Sequence, residues 1–70
     1  MAYDPLEQLC MEEAMRTAVD LGYSLIADRS TMKDAYPLIR VVRGDESEAY
    51  SSFDPKVIDA FVRGVAEGLR

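Results

Sequence analysis

Residues 36–43 read Tyr36-Pro37-Leu38-Ile39-Arg40-Val41-Val42-Arg43 and form the most strand-prone part of the chain. β-Branched residues favour extended backbone, and successive side chains of a strand point to opposite faces. One face of such a strand carries Ile39 and Val41. The other carries Leu38, Arg40 and Val42. Because both faces are partly apolar, we expect this segment to be a principal strand of a small sheet, with helices covering both of its faces.

Two Asp-Pro pairs mark the starts of helices on either side of this strand. Asp4-Pro5 and Asp54-Pro55 each place an N-cap residue before a proline, which loses no hydrogen bond at the first helical position. Glu7 stands three residues after Asp4, as a capping box requires. Gly22 supplies the left-handed residue that commonly ends a helix. The first helix is therefore predicted to run from residue 5 to about residue 21.

The segments between the helices have the composition of short strands and turns. Apolar and polar residues alternate in residues 23–28 well enough to predict a first strand. The polar residues 29–35 are predicted to be a loop with a helical turn. Residues 44–47 have the composition of a turn, and residues 48–53 that of a short third strand at an edge. Short connections favour antiparallel neighbours. Residues 1–70 are therefore predicted to form a single small α+β domain, helix-strand-strand-strand-helix, with an antiparallel sheet packed by two helices.

The second helix carries an apolar stripe and a row of small residues. The stripe consists of Val57, Ile58, Phe61, Val62, Val65 and Leu69. We expect Phe61 and Val65 to be buried together with Ile39 and Val41. The small residues Ala60, Gly64 and Gly68 recur every four positions, and each interior glycine costs helix stability. This spacing predicts a close backbone crossing within the fold, with a homodimer contact as the alternative.

The charge is acidic overall and unevenly distributed. The 70 residues contain 13 acids and 8 bases, for a net charge of −5. Residues 1–28 carry six acids and one base, whereas residues 29–43 carry four bases and one acid. An acidic total argues against direct nucleic-acid binding, which relies on Lys and Arg to displace counterions. The acidic net charge fits a basic protein partner, or it serves solubility alone.

The residue types needed for common catalytic and metal sites are missing. The chain has no His and a single Cys, so it holds neither an internal disulfide, nor zinc-finger spacing, nor a Cys–His pair. Its four glycines never cluster as a phosphate-binding loop requires, and its acidic turn lacks calcium-loop spacing. We therefore predict a protein that is not an enzyme, without catalytic residues, cofactor or metal.

Cysteine usage and the chain start bear on location. The one cysteine suits a reducing compartment, and residues 1–5 lack a signal-peptide pattern. No apolar run reaches the roughly 20 residues that a membrane helix needs. These features predict a cytoplasmic protein with no membrane partner.

The first helix carries more apolar surface than one small sheet can cover. Its apolar positions span about half of the helix circumference, whereas a helix on a sheet needs a stripe of roughly 100°. Methionine adapts to irregular partners, and acids around an apolar patch form a charged rim. The predicted partner-binding residues are Leu9, Met11, Glu12, Glu13, Met15, Val19 and Asp20.

These features together predict a non-catalytic module that binds a larger protein and inhibits or modulates it. In size and charge, though in no motif, the chain is similar to inhibitors encoded by phages or mobile elements, such as anti-CRISPR and anti-restriction proteins. The partner could then be a nucleic-acid-binding protein whose basic groove the acids occupy by imitating phosphates. Two alternatives stay open: a homodimeric small regulatory or structural subunit, and a small ligand-binding domain or enzyme.

Overall fold

A computed structural model describes residues 3–34 and 36–68. It contains two helices and three strands, namely α1 (Pro5–Leu21), β1 (Ser24–Lys33), β2 (Tyr36–Val42), β3 (Glu48–Ser52) and α2 (Pro55–Gly68). The strands form one antiparallel sheet in the order β1-β2-β3. The prediction of a small α+β domain with this element order is confirmed.

Both ends of α1 follow the local sequence signals. The Asp4 side chain accepts a hydrogen bond from the Glu7 amide at 2.8 Å, and Glu7 Oε1 accepts one from the Asp4 amide at 3.1 Å. Gly22 has a left-handed φ of 78°, and its amide donates to the Val19 carbonyl at 3.0 Å. These contacts satisfy backbone groups that a helix end leaves without partners. The predicted capping box and glycine stop are confirmed.

The first hairpin is longer than the sequence predicted. Instead of forming a loop, the polar residues after Asp28 continue β1 as far as Lys33, which pairs with Tyr36. The register is irregular between Asp28 and Met32, where the extra residues are accommodated. Asp34 turns the chain with a left-handed φ of 51°. Pairing with β2 therefore overrides the loop-like composition of this segment.

The core lies between one face of the sheet and both helices. On β2, Ile39 and Val41 are fully buried. They form a single cluster with four residues of the helices, Ala14, Ala18, Ile58 and Val62. Since both helices join this one cluster, they cover the same face of the sheet. The expectation that helices cover both faces is wrong, because the two helices also bury their apolar stripes against each other.

Two residues assigned to the core of α2 are only half-buried. Ile58 and Val62 occupy the buried side of the helix, which leaves Phe61 and Val65 on its flank. The Phe61 ring stacks on Tyr50 of β3, with 4.7 Å between ring centroids. The prediction that Phe61 and Val65 are largely buried is therefore wrong.

The small residues of α2 face solvent. Ala60 and Gly64 are exposed, and a Cβ atom at Gly64 or Gly68 would meet nothing within 4 Å. The predicted close crossing is wrong, because the buried side of α2 lies opposite this row. A homodimer contact through the row stays a prediction. Leu69, the last member of the predicted apolar stripe, lies outside the described residues.

Candidate functional site

The outward side of α1 is rich in large apolar side chains. Only Ala14 and Ala18 of this helix are fully buried. The exposed fractions of its large apolar residues are 59% for Leu6, 54% for Leu9, 50% for Met15 and 72% for Val19. Small alanines thus provide the close contact with the core, while larger side chains stay in solvent. Three of the predicted partner-binding residues, Leu9, Met15 and Val19, are among the exposed ones.

Helix geometry sorts the predicted residues into neighbouring rows. Residues three, four or seven positions apart share one side of a helix. Glu12, Met15 and Val19 therefore form one exposed row. Leu9 and Glu13 begin the adjoining row, which Asp20 completes. We call these six residues the α1 surface.

Met11 is the predicted residue that does not belong to this surface. It is half-buried and packs against the core cluster. Its position, four residues after Glu7 and three before Ala14, places it beside the buried stripe. The sequence pattern showed Met11 as part of one wide apolar arc and did not mark where the buried stripe ends.

The α1 surface carries three acids, Glu12, Glu13 and Asp20. Glu13 forms an ion pair with Arg16 at 3.6 Å, and both side chains are substantially exposed. Exposed pairs of this kind contribute about 0–1 kcal/mol. Glu12 and Asp20 are exposed acids without such a partner among the described residues. Asp20 also lies in the last turn, near the negative end of the helix dipole, where an acid lowers helix stability.

The sheet face opposite the helices carries an ion-pair network. The Arg40 guanidinium lies on β2 and contacts Asp28 Oδ2 of β1 at 3.0 Å and Glu48 Oε1 of β3 at 2.6 Å. Hydrogen bonds from the Ser30 hydroxyl and amide, followed by the one from Arg40, lower the pKa of the Asp28 carboxyl below its usual value. The network joins all three strands, so Arg40 is engaged inside the fold. Half-buried Leu38 shares this face.

A cleft lies where the starts of both helices meet the tip of the first hairpin. Its volume is about 250 Å³. The residues that line it are Glu7, Lys33, Asp34, Tyr36, Phe53 and Asp54. We call it the N-terminal cleft. Sequence reasoning missed it, because the loop predicted for residues 29–35 would not have placed Lys33 and Asp34 beside the helix starts.

Tyrosine contacts order one wall of this cleft. The Tyr36 hydroxyl donates to Glu7 Oε1 at 3.1 Å, and the Tyr36 ring stacks on Tyr3 with centroids 5.4 Å apart. The hydrogen bond to Glu7 is the main cause that raises the pKa of Tyr36. Burial, followed by the Glu7 charge, raises the pKa of Tyr3. Both hydroxyls therefore stay protonated at neutral pH.

Within residues 3–34 and 36–68, no group of three or more His, Cys, Asp or Glu side chains is placed to hold a metal ion. In the same part of the chain, no helix has the length and apolar character needed to cross a membrane. Comparisons of the chain with models of known families, with curated proteins and with solved structures find no match.

Proposed function

We propose that this protein is a small, non-catalytic interaction module that binds a larger protein through the α1 surface and inhibits or modulates it. One observation carries the proposal: Leu9, Met15 and Val19 each expose half or more of their area on a single helix. Burying apolar area against a partner gains roughly 25 cal/mol per Å² before the costs of association. Met15 and Val19 are four residues apart, the spacing at which a helix presents neighbouring apolar side chains to a groove.

The charges on the α1 surface support a basic partner. Glu12, Glu13 and Asp20 lie in the same two rows as the apolar residues, and Arg16 is the one base among them. Acids beside exposed apolar residues steer a basic partner into contact and speed association. The position of Asp20 against the helix dipole also favours a role outside the helix itself.

A narrower proposal follows from size and charge. The partner would be a nucleic-acid-binding protein, and the acids of the α1 surface would compete with phosphates for its basic groove. This is the mode of action expected of an anti-CRISPR or anti-restriction type of inhibitor from a phage or mobile element. A cytoplasmic location belongs to the same proposal, since the only cysteine, Cys10, has no second thiol in the chain to pair with.

Capture with matched variants tests the proposal. Tagged wild-type protein is used to capture partners from cell lysate, beside a variant with Met15→Asp and Val19→Asp and a control with Val57→Asp. Val57 is an exposed apolar residue of α2, so its substitution makes a similar chemical change away from the α1 surface. We expect the wild type and the control to retain a partner that the double variant loses, with unchanged melting temperatures. Equal capture by all three proteins would contradict a role for α1.

Competition by DNA or RNA then distinguishes the general proposal of a protein-binding helix from the narrower proposal of phosphate imitation. If the captured partner releases the protein when nucleic acid is added, the narrower proposal of phosphate imitation is supported. If it does not, the general proposal of a protein-binding helix stands and the narrower one fails.

A homodimer is the alternative that the same exposed surface supports. A second copy of the chain could cover Leu9, Met15 and Val19 as well as a foreign partner could. Size-exclusion chromatography with light scattering decides between them. We expect a monomer; a dimer that the Met15→Asp and Val19→Asp variant dissociates would favour a homodimeric regulatory or structural subunit.

A further inference from the structure

We propose that the N-terminal cleft binds an arginine side chain presented by another protein. This inference goes beyond the α1 surface and stands without it, because the cleft shares no residue with that surface and takes only Glu7 from α1. Its lining combines two aromatic rings with four charged side chains, and the charged groups come from three different parts of the chain.

Two aromatic rings make the apolar part of the cleft. Tyr36 and Phe53 are both half-buried in its wall. Tyr36 is held by its hydrogen bond to Glu7 and by stacking on Tyr3, so this wall is ordered before any ligand arrives. A preformed site loses less conformational entropy on binding. The guanidinium group of arginine is planar and stacks favourably on such rings.

The charge of the cleft complements a cation. Its lining contains three carboxylates, those of Glu7, Asp34 and Asp54, against the single ammonium group of Lys33. Lys33 forms no ion pair with a carboxylate among the described residues. The Asp34 carboxylate likewise accepts no side-chain hydrogen bond from them. Among the three carboxylates, Asp34 is thus the one free to pair with a ligand, and Glu7 and Asp54 add negative charge beside it. A free carboxylate beside aromatic rings is the combination that suits arginine.

An anion would fit the same cleft poorly, although two helices start beside it. Helix starts attract anions through their free amide groups. Here the Asp4 side chain already accepts from the Glu7 amide, and Asp54 Oδ1 accepts from the Lys56 amide at 2.9 Å. The amides of Glu7 and Lys56 are therefore occupied by carboxylates of the chain itself.

The size of the cleft also favours one side chain over a larger ligand. Its volume of about 250 Å³ is below the roughly 300–1,000 Å³ of typical small-molecule pockets. The cleft is open on its outer side, which allows a side chain on a protein surface to reach in.

NMR titration tests the proposal with a defined probe and needs no partner protein. Uniformly ¹⁵N-labelled protein is titrated with N-acetyl-arginine amide and, separately, with the citrulline analogue, which has nearly the same shape without the charge. We expect saturable amide shifts at the lining residues with a dissociation constant in the millimolar range for arginine, and shifts at least tenfold smaller for citrulline.

Two matched variants test whether arginine binds in the N-terminal cleft. Asp34→Asn removes one negative charge, and asparagine tolerates the left-handed backbone at this position. Glu67→Gln removes one from an exposed position of α2 that does not line the cleft. We expect Asp34→Asn to weaken arginine binding about two- to fivefold, as the loss of an exposed ion pair predicts. Glu67→Gln should leave it unchanged.

Three outcomes would overturn the proposal. Equal amide shifts with arginine and citrulline would show that the charge of the ligand does not contribute to binding. Equal weakening by Asp34→Asn and Glu67→Gln would reduce the binding to unspecific attraction by an acidic protein. Larger shifts of the same residues with inorganic phosphate would identify an anion site. None of these outcomes bears on the α1 surface, so the two proposals succeed or fail separately.

Discussion

Gly22 and Gly64 differ in whether their positions require glycine. Gly22 ends α1 in a left-handed conformation that residues with a Cβ adopt only at a cost. Gly64 lies within α2 with open space where a Cβ would be. The first glycine is required by its backbone angle. The second lowers helix stability without a packing reason in the described residues.

Gly64→Ala should stabilise the protein. Alanine in a helix interior is favoured over glycine by about 0.5–1 kcal/mol. For a domain of this size, we expect the melting temperature to rise by roughly 2–8 °C. Gly22→Ala is the control, since a left-handed alanine costs about 1–2 kcal/mol and should lower the melting temperature. A lower melting temperature for Gly64→Ala would reveal a close contact there, as in a homodimer.

Asp28 should make folding stability depend on pH in the acid range. Its pKa is lowered from the ordinary value of 3.8, first by the Ser30 hydrogen bonds and then by Arg40. Because the folded state holds the proton less tightly than the unfolded state, this contribution is present above pH 4 and is lost as the pH falls through the folded pKa. Melting temperatures between pH 2 and 6 should therefore fall less steeply for Asp28→Asn than for wild type. Identical slopes would contradict this role for Asp28.

At the scale of elements, the buried side and the flank of α2 contribute differently to the free energy of unfolding. Ile58 is fully buried in the core cluster, whereas Phe61 covers Tyr50 at the flank. Ile58→Ala should cost about 2–5 kcal/mol. Phe61→Ala should cost about 1–3 kcal/mol, because part of the ring is already in contact with water. Urea denaturation followed by circular dichroism measures both, and a larger loss for Phe61 would contradict the placement of the core.

The helices were predictable from sequence because their signals are local. Asp4, Asp54 and Gly22 act within a few residues of their own positions, so helix starts and stops could be placed. The continuation of β1 to Lys33 depends on pairing with β2, which no local pattern encodes. The exposed apolar residues of α1 were expected from its wide apolar arc. The N-terminal cleft could not be predicted without knowing that β1 extends to Lys33. The two ion-pair partners of Arg40, Asp28 and Glu48, likewise depended on the strand register.

At the scale of the whole molecule, the acids of α1 should control how fast a partner is found. Glu12→Lys with Glu13→Lys reverses two charges of the α1 surface, and we expect association with the captured partner to slow by about tenfold or more at low salt. The difference should shrink as salt shortens the screening length from about 10 Å at 0.1 M to about 3 Å at 1 M. Stopped-flow or surface-based kinetics measures this. Glu46→Lys with Glu67→Lys is the control of equal charge, and equal slowing by both pairs would point to net charge alone.

Because α1 and α2 share one core, the order of synthesis matters for this chain. The strands are joined in sequence, so both hairpins can form from neighbouring segments as they leave the ribosome. Ala14 and Ala18, however, find their partners Ile58 and Val62 only after most of the chain has been made. Until then only the sheet, through Ile39 and Val41, is available to cover the buried side of α1. The last helix to emerge is thus the one that closes the fold, and a chain halted before residue 58 would remain without a complete core.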